Sequence, residues 1–482
     1  MNRWYPFLLL AITLLAGIPY FPQFQGDSYI HYQYAMNLAR GMFMQFNPGE
    51  PSGGTTAPLW TMMLSALYFL TGKGFIDIGA KVLGLLFAFG AGMMVFILAR
   101  EFKPAEKEDY LLPFLLVLDP YYMFWAGSGM EAAAAAFALA LGFYLFKRKR
   151  NWLTGLVMGL ALLLRPELLV VILIFVILRP KAIFKLLFPG FFFCAVYYGL
   201  IYASTMTPFP ASWETRRVQA AFTEYAMPLG ATAITGLSLY YIFAAHMPLA
   251  ITALFAYKRK LWIAWVIIGF LTLFYTLVVP TAYGMRYVVP AIPLLVLLAG
   301  MGARRVGLRT RYLLLLMVPF WALGLVRKMN NVIYTSYGRE NYAMAGQWLR
   351  ENTPPDVLLV AKEVQIAWFS DRRVLSLDGV TDGKVNAYIK KGDDLSGFFK
   401  DYRPDYMVGL PDVTKNSWTR RTILRKVFEA GLAEILAGRT PDVVIEGIGF
   451  RLVAPGIYEL DYPEDEGNEP KADTPHSVVR NP

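Results

Sequence analysis

Long apolar segments separated by short polar ones fill the chain to about residue 329, and mixed polar and apolar stretches follow. Read as helices, the apolar segments predict eleven membrane spans, at 4–22, 76–99, 110–126, 130–146, 152–164, 168–179, 185–203, 231–256, 261–280, 287–302 and 312–328. Several fall short of the roughly 20 residues that a helix needs to cross a bilayer, so tilted, broken or mispaired segments are expected among them. Segment 57–72 is apolar enough to insert, but counting it breaks the parity of the scheme. It reads as a juxtamembrane or re-entrant helix. The first segment follows Arg3 as a signal peptide would, yet its exit, GIPYFPQF, offers no small-x-small cleavage site, so it reads as a retained span.

Residues 330–460 carry α/β signals. AMAGQWLREN reads as a helix, PDVLLVA as a buried strand, RRVLSLDG as strand then turn, DYMVGL as another strand and TILRKVFEAGLAEIL as an amphipathic helix. The tail 461–482 is Pro-rich and charged and reads as disordered. The expected architecture is a mainly α, polytopic membrane protein (residues 1–329, first outer loop 23–75) with a C-terminal extracytoplasmic α/β domain.

Composition agrees. Of 482 residues, 56% are hydrophobic and 17% charged, where a soluble globule carries about 25% charged. The net charge of +11 does not point to nucleic acid, because the basic residues form short runs between apolar segments: Lys147 to Arg150, Lys258 to Lys260, and Arg304-Arg305 with Arg309 and Arg311. Placing those runs in the cytoplasm makes this a multi-pass protein of the cytoplasmic membrane, amino terminus inside and C-terminal domain outside. Loop 23–56 and segments 127–131, 165–167, 204–230 and 282–286 then face outward. The single cysteine, Cys194 in FFFCAVYY, excludes an intrachain disulfide and a cysteine metal cluster, and reads as a packing residue.

Asp27 sits where the first apolar segment ends. A carboxylate costs about 2.5–3.5 kcal/mol at the centre of a membrane helix, so ionisable groups near the bilayer are functional candidates. A helix-like run from Tyr29 to Arg40, a turn cluster from Asn47 to Gly54 and Pro58 follow it. The other outward polar candidates are Glu50, Glu131 in SGMEAAAAAFAL, Arg165 and Glu167 in ALLLRPELLV, Arg216 and Arg217 in TPFPASWETRR, and Arg286 in AYGMRYVVP. Arginine forks match phosphate oxygens and a carboxylate takes a proton from a hydroxyl, so this set suits a phosphorylated substrate. Each residue also has a plain structural reading. Asp27 suits the N-cap of the helix after it, and Glu131 a helix N-terminus. Arg165 suits an ion pair with Glu167, Arg286 a snorkelling position, and Arg216 and Arg217 a charged surface loop. Tyr29, Tyr32 and Tyr34 suit an interfacial aromatic belt, although Tyr29 also suits stacking on a sugar. His31 reads as a polar loop residue. His31, His246 and His476 are too scattered for zinc spacing.

The string D-S-Y-I-x-x-x-Y-A-x-N-L-A-R-G from Asp27, then F-N-P-G-E and T-x-A-P-L-W, resembles the first extracytoplasmic loop of polyprenyl-phosphate-dependent GT-C glycosyltransferases. The nearest look is the bacterial branch that contains the mycobacterial-type arabinofuranosyltransferases. SGMEAAAAAFAL, LLLRPELL, TMTPFPASWE, GMRYVVPAIPLL and the stretch from Asn341 to Asp382 are similar to that branch too, so the resemblance spans most of the chain. It implies a polyprenyl-phosphate sugar donor and inverting transfer to an acceptor hydroxyl of a cell-envelope glycan or glycolipid. It implies Asp27 as catalytic base, and Tyr29, Glu50, Glu131, Arg165, Glu167, Arg216, Arg217 and Arg286 stand beside it as the substrate-binding candidates. Many members of the branch carry two adjacent acids where this chain has Asp27-Ser28. No cofactor is therefore certain, and dependence on a divalent metal stays open. A transporter or flippase of a lipid-linked sugar would share the many spans and outward arginines, but internal repeats and midplane charges are wanting. A wall-binding module would need fewer spans.

Overall fold

The computed structural model describes residues 3–102, 107–206, 211–212, 214–215, 218, 245–256, 261–277, 284–391, 395–409 and 442–463. The first segment is helix α1 (Tyr5–Gly17), opened by a proline whose missing N–H costs nothing at a helix start. A short 3-10 turn leads to α2 (Gly26–Ala39). The Asn47–Gly54 turn cluster becomes a small antiparallel hairpin of β1 (Gln45–Asn47) and β2 (Glu50–Pro51). Segment 57–72 is α3 (Pro58–Thr71), which packs mainly along α2, and α4 (Ile76–Phe102) follows.

The apolar run continues through α5 (Phe114–Val117), α6 (Pro120–Ala126), α7 (Ala132–Lys147), α8 (Asn151–Leu162), α9 (Leu169–Leu178) and α10 (Ile183–Thr205). Next come α11 (Met247–Leu254), α12 (Trp262–Leu277), α13 (Gly284–Val288), α14 (Ile292–Arg305) and α15 (Thr310–Asn352). Four stretches among the described residues are long and apolar enough to cross a membrane: Ile76–Phe102, Pro180–Thr205, Arg286–Arg305 and Thr310–Asn352. The expected eleven full spans are thus matched only in part, and most of segment 231–256 lies outside the described residues.

Two expectations are corrected. Segment 110–126 is not one helix. The Asp119 side chain accepts a hydrogen bond from the Tyr122 backbone N–H (2.7 Å), capping α6, and Pro120 cannot continue the α5 ladder. Segment 312–328 and AMAGQWLREN are not two helices but one. No proline falls between them, and α15 runs 43 residues, about 65 Å at 1.5 Å per residue.

Charge pairs mark the two ends of the bundle. At one end Arg148 meets Glu101 (3.3 Å), Arg304 meets Asp109 and Arg311 meets Glu108 (3.7 Å), which gathers two of the three basic runs. At the other, Asp77 pairs with Lys81 (3.0 Å) and faces Arg339 (3.7 Å) near the far end of α15.

Beyond α15 lies a six-stranded sheet, ordered β4-β3-β5-β8-β7-β6. Strands β3 (Leu358–Ala361), β4 (Arg373–Ser376) and β5 (Tyr406–Val408) are parallel and match the three expected strands. Helices α16 (Ile366–Ser370), α17 (Asn386–Lys391) and α18 (Ser396–Tyr402) lie between them in sequence. The antiparallel meander β6 (Asp442–Ile445), β7 (Ile448–Ala454) and β8 (Ile457–Asp461) was not expected. It makes Asp461 a strand residue rather than the start of a disordered tail. Residues 464–482 and the expected helix at TILRKVFEAGLAEIL lie outside the described residues.

The bundle and one face of the sheet share an apolar core, and the sheet's other face has a core of its own. Their polar seam is built by the hairpin. Asn47 pairs with edge strand β4 as a further strand would, its side-chain amide donating to the Val374 carbonyl (3.0 Å) and its oxygen accepting from the Val374 N–H (3.0 Å). Glu50 binds Arg373 and Lys384, the latter at 3.1 Å. The Tyr34 hydroxyl reaches the Thr381 carbonyl (3.2 Å). Only glycine fits at 54, since a Cβ there would lie 2.5 Å from the Tyr34 oxygen and 2.9 Å from the Thr381 carbonyl oxygen.

Candidate active site

Asp27 lies in the first turn of α2, where the helix dipole favours its charge. The N-cap is Gln25, so Asp27 does not cap the helix. Its carboxylate, half exposed, meets the buried guanidinium of Arg286 at 2.5 Å. Arg286 therefore turns into the protein rather than snorkelling. Another of its nitrogens donates to the Tyr287 hydroxyl (2.9 Å).

Tyr287 joins two arginines. Its ring lies 4.9 Å from the guanidinium of Arg286 and 5.0 Å from that of Arg165. Arg165 precedes Pro166, which holds it in an extended conformation between α8 and a 3-10 turn. It pairs with Glu131 (2.6 Å) and Glu167 (3.4 Å), and all three side chains are under a tenth exposed. Glu131 occupies the N-cap position of α7 without capping it, because its carboxylate is turned to Arg165. Its other oxygen faces His31 Nε2 at 3.8 Å. His31 is buried, not a loop residue, with Nδ1 at 3.2 Å from both the Thr55 and Thr61 hydroxyls. Burial pushes the His31 pKa down more than Glu131 and Asp27 push it up, so the ring is neutral at pH 7.

The structure thus brings Asp27, Glu131, Arg165, Glu167 and Arg286 into one network. Tyr29 is elsewhere: buried in an aromatic cluster with Phe24, Tyr32, Trp368 and Phe369, it forms neither an exposed belt nor an open stacking face. Glu50 serves the seam. Arg216 and Arg217 lie outside the described residues. Sequence reading missed Tyr287, Thr55, Thr61 and the clamp at Lys81. That buried ammonium donates to the carbonyls of Phe21 (2.7 Å) and Gln23 (3.0 Å) and to Asp77, fixing the segment that leads to Asp27. The one available signal was a lysine and an aspartate one turn apart at the start of an apolar helix. Among the described residues no group of three or more His, Cys, Asp or Glu side chains is arranged to hold a metal ion.

The C-terminal sheet region meets this site at Gly26, one residue before Asp27. Strand β3 has β4 on one side and β5 on the other, both parallel to it. Such a strand-order reversal, at the carboxyl ends of the strands, is where open α/β sheets take up ligands. The segment leaving β3 brings the Gln365 amide against Gly26, where a Cβ would lie 3.0 Å from Nε2.

The overall fold is that of a known membrane protein. The chain superposes on the crystal structure of ArnT from Cupriavidus metallidurans bound to undecaprenyl phosphate, with a TM-score of 0.58 and 13% identity over 95% of this chain and 98% of that one. It also superposes on ArnT from the same organism in the apo state, with a TM-score of 0.54 and 14% identity over 91% and 95%. Residues 331–446 match a family model described as a domain of unknown function (DUF8728). No curated protein matches the sequence. At this level of identity the likeness to ArnT establishes an ArnT-like helical membrane fold.

Proposed function

We propose that this protein is an inverting GT-C glycosyltransferase that moves a sugar from a polyprenyl-phosphate donor to an acceptor hydroxyl on the extracytoplasmic side of the cytoplasmic membrane. The observation that carries the reading is the Asp27–Arg286 pair at 2.5 Å, set beside the buried Arg165–Glu131–His31 group in an ArnT-like fold. ArnT, a GT-C family enzyme, has been crystallised with undecaprenyl phosphate, which supports a lipid-phosphate donor here.

The chemistry follows from the side chains. Arg286 and Arg165 hold the donor phosphate and neutralise the charge that develops on it as the glycosidic bond breaks, so no acid catalyst is required. Asp27, half exposed beside Arg286, removes the proton from the acceptor hydroxyl as its oxygen attacks the anomeric carbon from the opposite face. A hydroxyl of a cell-envelope glycan or glycolipid is the acceptor that the first-loop resemblance implies. Arabinofuranose is the sugar that the first-loop resemblance favours.

A panel of synthetic polyprenyl-phosphate sugars, given to purified wild type and Asp27→Asn with and without divalent metal, tests this. Release or transfer of one sugar by wild type alone supports the reading. Tight donor binding by both proteins with no turnover of any donor moves the assignment to transport of the lipid-linked sugar.

A further inference from the structure

A carboxylate locked to an arginine is a poor base, since an adjacent cation lowers its pKa by roughly 1–3 units. Asp27 is so locked, yet the proposed function asks it to accept a proton. The C-terminal region brings a counterweight. Gln365, buried against Gly26, donates from Nε2 to Glu363 Oε2 (3.1 Å). That hydrogen bond holds the Glu363 carboxylate just beyond the carboxyl end of β3, with only the Gln365 amide between it and Gly26, the residue before Asp27.

We propose that Glu363, held by Gln365, is a positioning residue for Asp27: its negative charge offsets that of Arg286 and keeps Asp27 able to take a proton. The inference rests on the reading of Asp27 as the base. Around Asp27 stand the Arg286 guanidinium from α13, the neutral His31 ring from its own helix and Glu363 from the turn after β3. Those that face Glu363 are Lys362, Asp378 and Asp27. Burial pushes Glu363 up. Lys362 and the Gln365 hydrogen bond pull it down, Asp378 and Asp27 add to the rise, and the net displacement is upward. Repulsion between two carboxylates is mutual, so the charge of Glu363 acts on Asp27 as that of Asp27 acts on Glu363. Catalysis in the bundle thereby depends on a residue that the sheet delivers. If the sheet region lifts from α2, Asp27 is left with Arg286 and loses basicity.

Two readouts on the full-length protein test this. The first is the pH profile of kcat/KM for Glu363→Gln and Glu363→Asp. Glu363→Gln should move the acid limb down by about half a pH unit or more and lower the plateau, whereas Glu363→Asp, which keeps the charge, should restore most of both. A slower Glu363→Gln enzyme with an unmoved acid limb overturns the proposal and leaves Glu363 a structural part. The second readout needs no turnover: modification of Asp27 by a water-soluble carbodiimide, followed against pH by peptide mass spectrometry. Its inflection should fall in Glu363→Gln and hold in Glu363→Asp, and an unchanged inflection in Glu363→Gln overturns the proposal. A shifted inflection in a protein that transfers no sugar keeps the coupling and rejects only the transferase reading.

Discussion

Asp27 and Arg286 stand 259 residues apart in the chain and 2.5 Å apart in the fold. The pair ties the entry of α2 to α13. It also places the half-exposed carboxylate of the network beside a buried guanidinium, so a group able to take a proton and a group able to bind an anion share one small site.

Separating those roles gives the first prediction. Asp27→Asn keeps the shape but cannot take a proton, and should lower kcat by roughly 10²–10⁴-fold with donor binding retained. Arg286→Lys keeps the charge but loses the fork, and should weaken donor binding first. Donor titration and single-turnover transfer distinguish the two. Equal loss of donor binding in both variants would show that the two residues do not divide the work.

Glu131 and Arg165 form a buried ion pair, and breaking one partner strands the other. Glu131→Gln should destabilise the protein by about 3–5 kcal/mol, whereas Glu131→Gln combined with Arg165→Met should recover much of the loss without recovering activity. Thermal unfolding in detergent reads the stability. A double variant no more stable than the single one contradicts the account.

The seam is expected to yield at Asn47. Asn47→Ala removes both hydrogen bonds to Val374 and leaves its buried backbone groups unsatisfied, a cost of about 1–3 kcal/mol. Limited proteolysis should then cut the hairpin at residues 45–51 faster than in wild type. Unchanged cleavage rates would mean that the apolar core alone holds the two regions together.

The seam also carries two carboxylates that respond to pH in opposite senses. Burial pushes Glu50 up, but Lys384 and Arg373 more than offset it and hold it below its ordinary value of 4.5. Its stabilising contribution is therefore complete above pH 4.5 and is lost as pH falls below that. Burial raises Asp382 from 3.8 to about 6 despite hydrogen bonds from the backbone of Ser376 and Lys384. The fold favours its protonated form, so that contribution is present below pH 3.8 and is lost as pH rises through about 6. Asp382→Asn should raise the midpoint of thermal unfolding at pH 8 and change it little at pH 4. A lowered midpoint at pH 8 would show that the charge is needed.

The sequence by itself determined the class of molecule and most of its parts. Apolar segments of helical length, basic runs at their ends, and strands such as Leu358–Ala361 and Arg373–Ser376 are local signals, carried by hydrophobic period and turn residues. It also singled out Asp27, Glu131, Arg165, Glu167 and Arg286, which the fold gathers into one network, because a charge is costly beside a membrane. What it left undecided were the partnerships. Nothing local marks Glu50 as a seam residue rather than a ligand, or Tyr29 as part of an aromatic core rather than a belt. Glu363 is one acid among many until the turn after β3 sets Gln365, its hydrogen-bond partner, against Gly26, and His31 is a polar residue until Thr55, Thr61 and Glu131 close around it. A side chain's protonation and role are set by the charges and the burial around it. Those come from elements hundreds of residues apart, so only the tertiary structure decided them.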